Sequence, residues 1–143
     1  MVKTFNISPV KRIDRRGLRK LALHVWKDLT SEKCEISLNF VSIREITDLN
    51  KNYLGKDKPT DVIAFNLGNT PATPLIADIY ICPQLARQNA ELYACNLETE
   101  LARLVIHGVL HIAGYDDATE KERHEMRRLE DCFLKKYTSA KND

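Results

Sequence analysis

Two of the chain's four histidines, His107 and His111, stand four residues apart in the stretch 104–117. On an α-helix that spacing puts both imidazoles on one face, one turn apart. Two imidazoles so placed can grip one divalent metal ion, at about 2.0–2.1 Å if the ion is zinc. Gly114 can take the left-handed backbone that ends a helix, and two carboxylates follow it, Asp116 and Asp117. The pattern His107-x3-His111-x5-Asp117 therefore places two ligands on a helix and a third just past its C-terminal end. A metal held there would activate a water or polarise an oxygen of the scissile group, which is hydrolytic chemistry.

Each of these residues has a plainer reading. Histidines four apart arise often by chance, and a pair at a helix–sheet boundary can simply bond backbone carbonyls. Asp117 and Glu120 have the D-x-x-E spacing of a capping box at the start of the next helix. Capping and ligation use different lone pairs, so Asp117 could do both. The residue after His107 is Gly108, where the H-E-x-x-H signature of metallopeptidases has its glutamate.

Hydrophobic patterning supplies the elements that must position these groups. Residues 2–7 read as an edge strand. Asp14 caps a helix over 14–30 with Leu18, Leu21, Ala22, Val25 and Leu29 inward. Residues 34–41 alternate as a half-buried strand. Ser42 and Glu45 form a capping box for a helix that Gly55 ends, with Ile43, Ile46, Leu49, Asn50 and Tyr53 inward. Residues 62–65 and 75–82 are the next two strands, expected to pair as a hairpin, and Pro83 opens a helix that runs to about residue 94. Asn96 caps the helix bearing His107 and His111. A last helix over 118–137 turns Met126, Leu129, Cys132 and Phe133 inward. The order β-α-β-α-β-β-α-α-α predicts one α/β (α+β) domain over residues 1–143, a sandwich of a small mixed four-stranded sheet and five to six helices. Its metal site sits at a helix C-terminus. Asp78, inside an apolar strand, needs either a structural partner or a role supporting a ligating imidazole. His24 and His124 read as structural and exposed.

At 143 residues, 43% hydrophobic and 29% charged, the chain is an ordinary globular protein rather than a disordered one. No apolar run approaches the ~18 residues of a membrane span, and no secretory leader pattern opens the chain, which points to the cytoplasm. Cys34, Cys82, Cys95 and Cys132 are scattered and read as buried, reduced side chains. The net charge is only +2, yet Lys11, Arg12, Arg15, Arg16, Arg19 and Lys20 cluster within ten residues, either as a solvated face or as a patch for phosphates. The polar tail over 139–143 is expected to fray.

Three segments in order carry a resemblance to a known family. They are Leu49-Asn-Lys-Asn-Tyr-Leu-Gly-Lys-Asp-Lys-Pro-Thr-Asp-Val-Ile-Ala-Phe65, Ala77-Asp-Ile-Tyr-Ile-Cys-Pro83 and His107-Gly-Val-Leu-His-Ile-Ala-Gly-Tyr-Asp116. Together they closely resemble the YbeY family of metal-dependent endoribonucleases, over about residues 35–134. The resemblance implies an α/β sandwich with a mixed four-stranded sheet. It implies cleavage of single-stranded RNA, notably at the 3′ end of small-subunit rRNA, with a part in ribosome biogenesis and quality control. Ribosomal proteins and a ribosome-associated GTPase are the implied partners. The implied cofactor is one zinc per chain, or another divalent transition metal, on three histidines. Two of these fall on His107 and His111 and the third on Asp117, which lowers the charge of the site by one and leaves a bound water less acidic. The family's usual arginine after the tyrosine is Leu54 here, so Lys56 or Lys58 must supply the cation, as a point charge and not a bidentate fork. Its usual glycine before the strand aspartate is Ala77.

The sequence thus predicts a zinc-dependent endoribonuclease with His107, His111 and Asp117 as ligands. Lys56 and Lys58 stabilise phosphate charge, and Asp116 is a candidate base if it points inward. Two alternatives are a zincin-like metallopeptidase, which the missing glutamate disfavours, and a ribosome-assembly RNA-binding factor with weak or no catalysis.

Overall fold

The computed structural model describes residues 1–138; the tail over 139–143 lies outside the described residues. Nine elements follow in the expected order: β1 (Val2–Asn6), α1 (Arg15–Leu29), β2 (Cys34–Phe40), α2 (Ile43–Leu54), β3 (Val62–Asn66), β4 (Leu75–Ile81), α3 (Pro83–Leu92), α4 (Leu97–Ile112) and α5 (Glu120–Thr138). The strands form one sheet in the order β1-β2-β4-β3. β1, β2 and β4 run parallel, and β3 is antiparallel to β4, so the sheet is mixed.

Local chemistry sets the ends of these elements. The Asp14 carboxylate accepts from the Gly17 amide at 3.0 Å and starts α1. Ser42 and Glu45 close a full capping box on α2, and Gly55 ends that helix at φ +70°. Asn96 caps α4 by accepting from the Thr99 amide at 2.8 Å. Glu98 and Glu100 in its first turn complement the helix dipole.

Ten of the sixteen residues of α4 are buried, the mark of a helix enclosed on most sides. α1, α3 and α5 pack around it, and β3 and β4 lie beneath. Strand alternation sends Ile36, Leu38, Ala77, Ile79 and Ile81 into this main core. α2 covers the opposite face of the sheet through Val41, Ile46, Ile63 and Cys82.

α4 approaches the sheet closely at Gly108. A Cβ there would stand 2.8 Å from Ile79 Cγ2 and 3.0 Å from Cδ1. Gly108→Ala is therefore expected to destabilise the fold. Overpacking costs about 1–3 kcal/mol, and the helix-propensity gain of about 1 kcal/mol offsets only part of it. Thermal denaturation should show a lowered Tm, and an unchanged one would mean that Ile79 yields freely.

Several inward assignments change. Tyr53 is 69% exposed, with its ring edge to face against Phe65. Cys132 is exposed and Cys95 half-buried, whereas Cys34 and Cys82 are buried; all four are free thiols. Burial pushes the Cys34 thiol up to about 11, which keeps it inert at neutral pH. On α5 the residues facing inward are Met126, Glu130 and Leu134, with Leu129 and Phe133 half-buried beside them.

Candidate metal centre

The apolar wrap of α4 is broken by a polar stripe: Glu100, Arg103, His107 and His111, spaced three and four apart. At the end of the stripe, Ala113 closes α4, and Gly114, at φ +104°, turns the chain back. Asn66, the last residue of β3, donates to the Ile112 carbonyl at 3.4 Å and ties the helix end to the sheet.

The turn delivers Asp117 to the histidines. Its Oδ2 lies 3.3 Å from Nε2 of His107 and 3.3 Å from Nε2 of His111. The two Nε2 atoms are 3.0 Å apart. Ligand atoms bonded to one ion at about 2.0–2.1 Å in a tetrahedron stand about 3.3–3.4 Å from one another, so this triangle fits one face of such a site. Two imidazoles and a carboxylate are the donor set that would hold a borderline metal, and all three side chains are partly exposed to solvent. Among the described residues no other group of His, Cys, Asp or Glu converges in this way.

Asp117 does not cap α5. The reciprocal pair is Thr119 and Glu122: the Glu122 amide donates to Thr119 Oγ1 at 3.1 Å, and the Thr119 amide to Glu122 Oε1 at 3.0 Å. The box sits two residues later than its sequence signature suggests, which leaves the Asp117 side chain to the histidines. Arg123 reaches back from α5 to the carbonyls of Asp117, at 3.4 Å, and Ala118, at 2.9 Å, and steadies the turn.

Two further residues meet the site, both unforeseen from the sequence. Glu130 Oε2 lies 2.7 Å from Nδ1 of His107, and Arg103 donates to Glu130 Oε1 at 3.2 Å. The available signal was a charge on an apolar stripe: Glu130 stands midway between Met126 and Leu134. Asp78 has no such place. It pairs with Phe65 on the sheet face turned away from α4, so it supports neither imidazole. Burial raises its carboxyl above the usual range.

Burial alone would lower the His107 pKa. The hydrogen bond and charge of Glu130 outweigh it, helped by Asp117 and Asp61, and the net shift is upward. In the metal-free chain the protonated His107–Glu130 pair thus adds stability that is full below the unfolded histidine's pKa and is lost as pH rises through the raised value. A proton on Nε2 also competes with a metal. Zinc titrations at several pH values should therefore show affinity rising as pH climbs past that pKa; affinity independent of pH across that range would place the metal elsewhere.

Lys56, Lys58 and Asp116 are exposed, and no hydrogen bond or ion pair among the described residues joins them to the trio. The loop carrying both lysines is anchored by Asn50, which is 2% exposed and donates to the Lys58 carbonyl at 2.8 Å. Leu54 ends α2 half-exposed. Position 108 faces Ile79 and not the cleft, so a glutamate there could not serve as a peptidase base.

The family model described as Endoribonuclease YbeY matches residues 5–138. The chain belongs to the YbeY endoribonuclease family. It is 39% identical over 123 residues to the Endoribonuclease YbeY of Halalkalibacterium halodurans, an alignment that covers 78% of this chain and 77% of that one. It also resembles the solution structure of TM1509 from Thermotoga maritima, with a TM-score of 0.68 and 27% identity, covering 99% of this chain and 92% of the other. Within the YbeY family fold, the mixed four-stranded sheet and five helices hold His107, His111 and Asp117 as a possible metal site.

Proposed function

We propose that this chain is a zinc-dependent endoribonuclease that cuts single-stranded RNA, and that its physiological substrate is small-subunit rRNA at its 3′ end, in ribosome biogenesis and quality control in the cytoplasm. The observation that carries the reading is the convergence of His107, His111 and Asp117 on one point, in a chain of an endoribonuclease family. Bound there, a zinc ion would supply a Lewis acid and an acidified water.

The chain's own residues do the rest. His107 and His111 are fixed by a buried helix and move little. Asp117 brings the third donor from a turn pinned by Arg123 and adds one negative charge. Lys56 and Lys58, on the loop anchored by Asn50, balance the phosphate charge as the strand settles. Asp116 is exposed beside Asp117, so a part as base for the attacking water requires the turn to swing its carboxylate inward when the strand binds. The trio is partly exposed, and the flexible backbone of a single strand can bring one phosphate down to it where a stiff duplex cannot. No helix among the described residues is long and apolar enough to cross a membrane. Ribosomal proteins and a ribosome-associated GTPase remain the proposed partners.

The test is cleavage of a short single-stranded RNA oligonucleotide beside the same strand in a duplex. Cleavage of the first and sparing of the second is expected; cleavage of neither, with zinc bound, favours the RNA-binding factor. The double variant Lys56→Ala/Lys58→Ala should weaken single-strand binding about tenfold at low salt, and each lost phosphate contact should lower the salt slope by roughly 0.7. Unchanged affinity and slope would remove the loop from the RNA path.

A further inference from the structure

His107 uses both ring nitrogens. Nε2 faces His111 and Asp117, and Nδ1 meets Glu130 Oε2 at 2.7 Å. Glu130 is only 5% exposed and occupies a position on α5 that its neighbours Met126 and Leu134 would lead one to fill with an apolar side chain. Both of its oxygens are committed. Oε1 accepts from Arg103 Nη1 at 3.2 Å, and Arg103 Nη2 in turn pairs with Asp131 Oδ1 at 2.9 Å. The chain of contacts thus runs from the surface carboxylate of Asp131 through Arg103 and Glu130 to the imidazole.

An ionised carboxylate only accepts hydrogen bonds. Facing one, the neutral ring of His107 must carry its proton on Nδ1, which leaves the lone pair on Nε2, where the trio converges. His111 has no equivalent: among the described residues nothing bonds its Nδ1. We propose that Glu130, clamped by Arg103, is the positioning residue of the site, fixing the tautomer and ring plane of His107 before a metal arrives. This rests on the reading of His107, His111 and Asp117 as metal ligands. Such outer partners hold a ligating histidine in place and raise its donor strength.

Two variants test it. Glu130→Leu removes the acceptor and leaves Arg103 Nη1 and His107 Nδ1 without it, a change that lowers stability when one member of a buried pair is lost, so folding is measured beside binding. Glu130→Gln keeps an acceptor oxygen and loses the charge. Long-range ¹H–¹⁵N spectra of the metal-free protein at mildly alkaline pH read the His107 tautomer directly. Zinc affinity is read by competition with a chromophoric chelator, and folding by thermal denaturation. The wild type should show His107 protonated on Nδ1 alone. Glu130→Leu should show a tautomer mixture and bind zinc about 10–100-fold more weakly. Glu130→Gln should keep the Nδ1–H tautomer and bind zinc about two- to tenfold more weakly. Should the leucine variant not fold, the glutamine variant decides: loss of the Nδ1–H tautomer, or affinity equal to wild type, overturns the role. Equal zinc binding by wild type and Glu130→Leu, or an unchanged tautomer in the latter, also overturns it. A wild type that binds no zinc sinks the reading of the trio itself, and is thereby distinguishable from failure of the positioning role alone.

Discussion

Asp117→Ala is expected to lose zinc and, with it, RNA cleavage. The carboxylate is one of three donors in a triangle with 3.0–3.3 Å edges, and among the described residues no further His, Cys, Asp or Glu converges with them. Removing a ligand should cost more than the 10–100-fold typical of an outer partner, so a fall in zinc affinity of more than about 100-fold is the expected result. Asp117→His should retain the metal. An imidazole can supply one donor from the same turn, and the site regains one unit of positive charge. A bound water would then be more acidic, and cleavage near neutral pH should be equal or faster. Because Thr119 and Glu122 cap α5 without Asp117, neither variant should lower the Tm by more than about one degree through loss of a cap. Competition titrations, a cleavage assay and thermal denaturation of the three proteins check these outcomes. Undiminished zinc in the alanine variant would remove Asp117 from the ligand set.

His111→Ala should abolish cleavage and leave RNA binding largely intact. His111 is a quarter exposed, and among the described residues its polar and ring contacts are with His107 and Asp117. Truncation therefore leaves no buried polar group unpaired, and alanine suits a helix interior. Cleavage of a single-stranded oligonucleotide should fall more than about 100-fold, as removal of a principal transition-state stabiliser commonly does, while its Kd changes less than about threefold because phosphate contacts carry the affinity. A variant that cuts at the wild-type rate would place catalysis elsewhere in the molecule. A wild type that binds RNA and cuts nothing would favour an assembly factor.

The sequence carried the fold because its local signals agree with its global pattern. Asp14, Ser42, Gly55 and Asn96 each act at the end they mark, and strand alternation over residues 34–40 assigns the core face correctly. The histidine pair was legible because helix geometry turns a spacing of four into a shared face. What escaped was tertiary. Nothing in the spacing of α5 says that its one inward carboxylate meets His107, because that contact joins residues 23 apart in sequence across two helices. Asp117 and Glu120 have capping spacing, but the turn after Gly114 delays the helix, and Thr119 takes the cap. The side to which Asp78 points depends on strand register: pairing with Phe65 turns it away from α4. Cys132 lies off the face of α5 that carries Met126, Glu130 and Leu134 inward, and Tyr53 stands near the exposed end of α2 against Phe65. Lys56, Lys58 and Asp116 lie on exposed segments whose roles depend on a substrate.

On the proposed reading, His107, His111 and Asp117 hold one catalytic metal. Elemental mass spectrometry of the zinc-loaded, desalted wild type beside His107→Ala/His111→Ala tests it most directly. Close to one zinc per chain in the wild type and close to none in the double variant is the predicted result. Equal zinc in both proteins, or none in the wild type, would contradict it.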